Sequence, residues 1–270
     1  MKSELSLTEL KKIELSMLKY IDDVCKKNNI KYFLDCGTLL GAARHQGFIP
    51  WDDDIDILVD RQDYKKLLSL LSNKKSQYRA LSMYNTPEYH YLFAKLVDTE
   101  TELIEDYIPI KGMGVFIDIF PLDHLPSNKV HRRFVQFYIN IMRSALRLRL
   151  EGSQGRNTVG IKHKMVLILS YLFSGSKEWK GLMNKLDLYL LKNANRNTKV
   201  KVDVVSSTKP YRDVPAAYFD DSVMLKFEDG YYPAPKAYKE YLTILYGDYM
   251  TLPPENARVS NHDFKAYMRQ

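Results

Sequence analysis

Apolar residues at Leu7, Leu10, Ile13, Met17, Tyr20, Ile21 and Val24 recur every three or four positions, which predicts an amphipathic helix near the N-terminus. Ser6 and Glu9 stand at capping-box spacing ahead of it, and Asn28-Asn29 supplies its stop. Tyr32-Phe33-Leu34 reads as a short buried strand, broken by Gly37-Thr38, with a short helix from Leu39 to Arg44. Gln46 to Asp53 is a loop. Ile55, Ile57, Leu58 and Val59 predict a second strand, and Arg61-Gln62-Asp63 opens a helix that runs to Leu71. Further strands are predicted at Arg79–Met83, Leu92–Val97 and Val115–Phe120. Strands interleaved with helices in this order predict an α/β (α+β) fold, a mixed sheet flanked by helices.

After Pro126 the pattern changes. Residues 129–150 predict an amphipathic basic helix with Phe134, Phe137, Tyr138, Ile141, Met142, Ala145 and Leu148 on its packing side. A Gly/Ser/Asn-containing loop follows over 151–160, and then an uncharged apolar run from Met165 to Phe173. From Thr208 the sequence is rich in Pro and aromatic residues and predicts irregular structure. This divides the chain into a core over 1–126, a mainly helical basic insertion over 127–207, and a C-terminal segment over 208–270 that returns to the core. Neither internal repeats nor low-complexity tracts interrupt this plan.

Composition narrows the class. The 270 residues are 45% hydrophobic and 27% charged, an ordinary globular balance. Cys25 and Cys36 are the two cysteines, too few for a disulfide framework and consistent with a reducing compartment. The N-terminus opens polar, without a signal core, and no apolar stretch approaches the length of a membrane span. The formal charge is +7, but it is unevenly placed. Residues 129–180 hold 11 Lys and Arg against Glu151 and Glu178, a net +9, and the rest of the chain carries −2. A basic segment of this kind is either a solvated helix face or a surface for an anionic partner. A nucleic acid is not the expected partner, because no recognition module is present.

The chemistry concentrates in Trp51-Asp52-Asp53-Asp54-Ile55-Asp56-Ile57. On a strand Asp54 and Asp56 share one face, with Ile55 and Ile57 on the other. Two like charges about 4 Å apart cost on the order of 4 kcal/mol at an effective dielectric near 20, and a hard divalent cation removes that cost. Mg²⁺ is the expected ion, with Mn²⁺ as a substitute. Asp118 lies in the middle of the apolar run Val115–Phe120, which reads as a central buried strand in which a lone Asp needs a partner. Asp54, Asp56 and Asp118 together have the composition of a metal-assisted phosphoryl-transfer site. Gly37-Thr38, between a strand and a helix, suits the approach of a phosphate.

These residues carry a resemblance. Gly37-Thr38, Asp54-Ile55-Asp56 and the later Asp118 resemble the nucleotidyltransferase-fold pattern. Phe33 to His45 and Gly47 to Asp56 look like the LicD family of choline-phosphate transferases, which is similar to the fukutin-type ribitol-phosphate transferases. Phe93–Leu96, Phe116–Asp123, Phe227–Gly230, Pro233–Pro235, Tyr246–Tyr249 and Leu252–Pro254 extend the match, so that it covers roughly 1–125 and 208–262. The resemblance implies transfer of phosphocholine from CDP-choline to a sugar hydroxyl of a lipid-linked cell-surface glycan precursor, of teichoic acid or lipopolysaccharide type, with release of CMP. It assigns Asp54, Asp56 and Asp118 to metal and catalysis, with Asp118 as the base. It assigns Gly37, Thr38, Arg44 and Lys95 to the nucleotide phosphates. Asp52, Trp51, Arg258 and His262 stand near these motifs without a fixed role. The implied location is cytoplasmic, peripheral at the inner face of the membrane, with residues 129–180 on an anionic surface. Other readings are CDP-ribitol as donor, a nucleotidyltransferase using a nucleoside triphosphate, and a non-catalytic membrane or nucleic-acid binding protein.

Overall fold

The computed structural model describes residues 3–73, 75–105, 108–153, 160–194, 198–203, 205, 213–259 and 264–269. Helix α1 (Leu7–Asn28) begins at the predicted capping box. The Glu9 amide donates to Ser6 Oγ at 3.3 Å, and the Ser6 amide donates to Glu9 Oε2 at 2.8 Å. Asn29 ends the helix in the left-handed conformation at φ 53°, which Asn tolerates better than most residues. Its buried face is Leu10, Met17, Leu18, Ile21 and Cys25, with two charged intruders, Glu14 and Asp22.

Strand β1 (Tyr32–Leu34) leads into α2 (Cys36–His45), β2 (Asp56–Asp60), α3 (Arg61–Leu70), β3 (Tyr78–Leu81), β4 (Ala94–Asp98), β5 (Thr101–Glu105) and β6 (Phe116–Leu125). Five of these strands form a sheet in the order β1-β2-β6-β4-β3. β2 and β6 run parallel, and the other pairs are antiparallel. A parallel pair needs a crossover, which α3 and the intervening strands provide. All ten residues of β6 are buried, which explains its largely apolar sequence, and the strand order places Asp118 in the middle strand of the five. Leu81, Tyr89, Val97, Leu103, Ile110, Met113 and Phe116 make one continuous apolar cluster.

Two compact units divide the chain, one of residues 1–122 with 216–270 and one of residues 123–215. In the second unit α4 (Lys129–Ser153), α5 (Ile161–Ser174) and α6 (Trp179–Ala194) pack on one another. Tyr138 lies 5.4 Å from Phe173 and 4.7 Å from Tyr189 between ring centroids. Strand β7 (Val200–Val202) pairs with Asp123–Leu125 and with β8 (Val214–Pro215). One expectation changes here. The buried side of α4 is Val135, Ile139, Met142, Ala145, Leu146 and Leu150, while Phe134 and Phe137 are exposed. The helix is apolar on two faces, and periodicity alone does not tell which one packs.

The C-terminal segment is also more regular than its composition predicts. β9 (Ser222–Phe227) and β10 (Gly230–Pro235) form a hairpin, followed by α7 (Tyr238–Tyr246) and by β11 (Phe264–Met268), which pairs with β5. The hairpin turns at Glu228-Asp229 with Glu228 at φ 54°. Asp229-Gly230 is the turn signal. The prolines of β10 are tolerated because that strand bonds only to β9 among the described strands. Lys19 pairs with Asp229 at 2.7 Å, and the Phe48 amide donates to Glu228 Oε1 at 2.9 Å, so the turn holds both α1 and the loop after α2.

Candidate active site

The sheet register brings charged residues into one row. Lys95 on β4 stands opposite Asp118 on β6, and Asp118 stands opposite Asp56 on β2. Asp35, just beyond β1, continues the row: its amide donates to the Asp56 carbonyl at 3.0 Å. In-register residues on neighbouring strands project to the same face. Lys95 Nζ donates to Asp118 Oδ1 at 2.7 Å, and both side chains are buried. The same ammonium lies 3.4 Å from the Phe116 ring centroid, with Tyr91 and Phe93 at 5.2 and 5.3 Å. A buried lysine without partners is costly; this one has a carboxylate and three aromatic faces.

The carboxylates around Asp56 are crowded. Burial pushes its carboxyl well above the ordinary range, and the charges of Asp54, Asp118, Asp35 and Asp52 push it further. Asp52, Asp53 and Asp54 offer oxygen atoms that all lie within 4.8 Å of one another. Asp53 is buried, and the other two are half-buried. Sequence reasoning missed two members of this neighbourhood. Glu14 enters from α1 with its carboxyl raised by burial and by Asp54, Asp53 and Asp52, against a smaller lowering by Lys11. Its Oε2 has no hydrogen-bond partner among the described residues. Asp35 is buried and accepts from the Tyr241 hydroxyl at 2.7 Å. The signal for Glu14 was available, because it falls in the buried spacing between Leu10 and Met17-Leu18 where an apolar residue is expected.

Helix α2 starts earlier than predicted, at Cys36, so that Gly37 and Thr38 form its first turn. Cys36 has φ 44°, a left-handed setting uncommon for a residue with a Cβ. A Cβ at Gly37 would come 2.5 Å from Asp52 Oδ2, so the missing side chain lets the Asp52 carboxylate lie against the helix start. The buried Thr38 Oγ1 accepts from the Asp56 amide at 2.8 Å. The Gly-Thr pair therefore sets the position of two acidic residues.

Arg44 Nη1 donates to the Tyr249 carbonyl at 2.9 Å. Lys11 Nζ donates to the carbonyls of Ile49 and Pro50, both at 3.1 Å, and holds the loop before the acidic run. Trp51 sits edge-on to His45, 6.4 Å away, with the Arg258 guanidinium 5.7 Å from its ring centroid. Arg258 thus returns to the acidic loop, and His262 lies outside the described residues. The structure brings Asp52, Asp54, Asp56, Asp118 and Lys95 into one electrostatic neighbourhood, with Gly37 and Thr38 beneath it. Arg44 is engaged with the C-terminal segment.

A mixed sheet that gathers carboxylates from a strand–helix turn and two adjacent strands has the architecture of a nucleotidyltransferase-type transferase. The family described as LicD/FKTN/FKRP, nucleotidyltransferase domain, matches residues 29–143. Over 277 aligned residues, 98% of this chain and 99% of the relative, the chain is 31% identical to the lipopolysaccharide cholinephosphotransferase LicD of Haemophilus influenzae. Over 45 residues, 17% of this chain and 9% of the relative, it is 42% identical to the ribitol 5-phosphate transferase FKRP of Homo sapiens. The chain belongs to the LicD family and is a phosphotransferase.

Proposed function

We propose that the protein transfers phosphocholine from CDP-choline to a sugar hydroxyl of a lipid-linked cell-surface glycan precursor, of teichoic acid or lipopolysaccharide type, and releases CMP. The observation that carries this reading is the facing pair Asp56 and Asp118, flanked by Asp54, in a chain that aligns over nearly its whole length with a cholinephosphotransferase. Phosphoryl transfer needs positioning and charge neutralisation more than covalent chemistry, and the residues present suit it.

The donor set fits a hard divalent cation. Asp52, Asp53 and Asp54 gather carboxylate oxygens within 4.8 Å of one another, and beside them burial and the charges of Asp54 and Asp118 disfavour the charged form of Asp56, a repulsion that a hard cation relieves. Asp54, Asp56 and Asp118 would hold Mg²⁺, or Mn²⁺ in its place. When bound, such an ion neutralises diphosphate charge and polarises the phosphorus under attack. The rest belongs to the chain. Asp118 accepts the proton of the sugar hydroxyl as its oxygen bonds to the choline-bearing phosphorus, and the bond from that phosphorus to the CMP oxygen breaks. Lys95 orients Asp118 through their 2.7 Å bond. Thr38 fixes Asp56 through its amide. Gly37 keeps the backbone low at the first turn of α2, and a helix start of this kind suits the donor phosphates. A lipid-linked acceptor puts this work at the inner face of the cell membrane.

CDP-ribitol is the second donor reading, supported by the 45-residue match to a ribitol 5-phosphate transferase. The test is incubation of pure protein with Mg²⁺ and a detergent-dispersed glycolipid acceptor, with CDP-choline, CDP-ribitol or CTP, scoring CMP and pyrophosphate. CMP from CDP-choline is expected. CMP from CDP-ribitol alone would move the donor to ribitol phosphate, and pyrophosphate from CTP alone would replace the transferase reading with nucleotidyl transfer.

A further inference from the structure

Helix α5 is built inside out for a helix in water. Its buried residues are Ser170 and Ser174. Their hydroxyls are satisfied by its own backbone, Ser170 Oγ donating to the Leu167 carbonyl at 2.8 Å and Ser174 Oγ to the Ser170 carbonyl at 2.7 Å. Four of its apolar residues face outward instead: Ile161, Met165, Ile168 and Leu172 are 81%, 58%, 61% and 71% exposed. At 100° per residue these four fall within roughly 60° of one another, on the side opposite Ser170. Helix α4 carries a matching exposed pair, Phe134 and Phe137. Single exposed apolar residues are normal, but a continuous stripe marks an interaction surface.

The charges beside the stripe select the partner. Lys162 and Lys164 are exposed at the start of α5, and Lys177 and Lys180 are exposed just beyond its end. No acidic residue occurs between Glu151 and Glu178. Two copies meeting through this face would bring like charges together, whereas an anionic lipid surface complements them. The 14 residues of α5 span about 21 Å, short of the roughly 30 Å needed to cross a bilayer. No described helix is long and apolar enough to cross a membrane. A short helix with an apolar stripe and lysines at its ends lies in the plane of the interface, with the stripe in the acyl boundary and the ammonium groups among the headgroups.

We infer that the exposed stripe of α5 docks the protein in-plane on an anionic bilayer. The inference deepens the membrane location read above and rests on that reading only for which leaflet is met, not for the chemistry.

The test is cosedimentation of the full chain with vesicles of phosphatidylglycerol and phosphatidylethanolamine, and with vesicles of phosphatidylcholine alone. Binding to the anionic vesicles is expected at low salt, at least tenfold weaker at 0.5 M salt and on phosphatidylcholine. The quadruple variant Ile161→Ser/Met165→Ser/Ile168→Ser/Leu172→Ser removes only exposed side chains, and it should bind at least tenfold more weakly at every salt concentration. Lys162→Glu/Lys164→Glu should bind more weakly at low salt and show a flatter salt dependence. Failure of the wild type to bind anionic vesicles overturns the inference, as does undiminished binding by the quadruple variant. It is also overturned if the wild type dimerises without lipid and the quadruple variant does not, which would give the stripe to a second copy. CMP release in detergent separates the two readings. Binding without CMP release leaves docking standing and defeats the donor reading, whereas CMP release without binding does the reverse.

Discussion

Lys95 donates to Asp118 at 2.7 Å from the strand beside it, in register, with both side chains buried. Asp118 therefore meets a cation on one side of its row and a second carboxylate, Asp56, on the other. Truncating one partner of a buried ion pair leaves the other uncompensated, at a cost of about 3–5 kcal/mol. Asp118→Asn is expected to destabilise the protein toward that range in urea unfolding, with the double variant Lys95→Met/Asp118→Leu recovering much of the loss.

Asp56 behaves oppositely. Its carboxyl is disfavoured in the charged form by burial and by Asp54, Asp118, Asp35 and Asp52. Asp56→Asn removes one of the repelling charges, so thermal stability in chelator should hold or rise. Turnover of Asp54→Asn, Asp56→Asn and Asp118→Asn should each fall by about 100-fold or more. A drop in melting temperature for Asp56→Asn as large as that for Asp118→Asn would contradict this account.

The carboxylate cluster predicts a dependence on divalent ions that can be read without catalysis. Excess chelator should abolish turnover, and Mg²⁺ or Mn²⁺ should restore it. At a hundredfold excess over its dissociation constant, Mg²⁺ should stabilise the wild type by about 2.7 kcal/mol. The Asp54→Asn/Asp56→Asn variant should show little of that gain.

Glu14 gives the pH dependence its sign. Burial and the neighbouring aspartates raise its carboxyl well above the ordinary value of 4.5, so the folded protein holds a proton there that the unfolded chain has released. Stability from this group is fully present below about pH 4.5, and it is lost as pH rises through the folded-state value. In chelator, Glu14→Gln should flatten this loss, measured as urea midpoint against pH. An unchanged profile would show that Glu14 is not the titrating group.

The turn under the site can be tested by size alone. Thr38→Val removes the acceptor of the Asp56 amide and leaves a buried donor unpaired, at about 1–3 kcal/mol. Thr38→Ser keeps the oxygen and should restore most of the turnover. Gly37→Ala should push Asp52 aside, since the added Cβ would lie 2.5 Å from its carboxylate. Reduced turnover with little change in stability is expected, because Asp52 is half-buried and has room to move.

Much of this was legible in the residues themselves. The capping box of α1, the strands around Ile57 and Ile117, and the acidic run after Trp51 follow from local spacing, because helix and strand periodicities of 3.6 and 2 act on neighbouring residues. The family motifs occupy the same stretches. Helix α6 and the β9–β10 hairpin were not read, because the first has weak amphipathic contrast and the second hides its turn in a Pro-rich segment.

The chain's local order was enough to determine an α/β core, a basic helical insertion and a carboxylate cluster beside a Gly-Thr turn. Only the folded structure decided which side chains share that cluster. Asp35, Glu14 and Lys95 lie 23 or more residues from Asp118 in sequence, and no local period links them. Strand register sets Lys95 and Asp118 opposite each other, helix packing brings Glu14 to Asp53 and Asp54, and in the second unit the packing of α5 on α4 and α6 turns its serines inward and its isoleucines outward. Register and packing are properties of pairs of elements: a shift of one residue sends a strand's side chains to the other face, and no single segment encodes that choice.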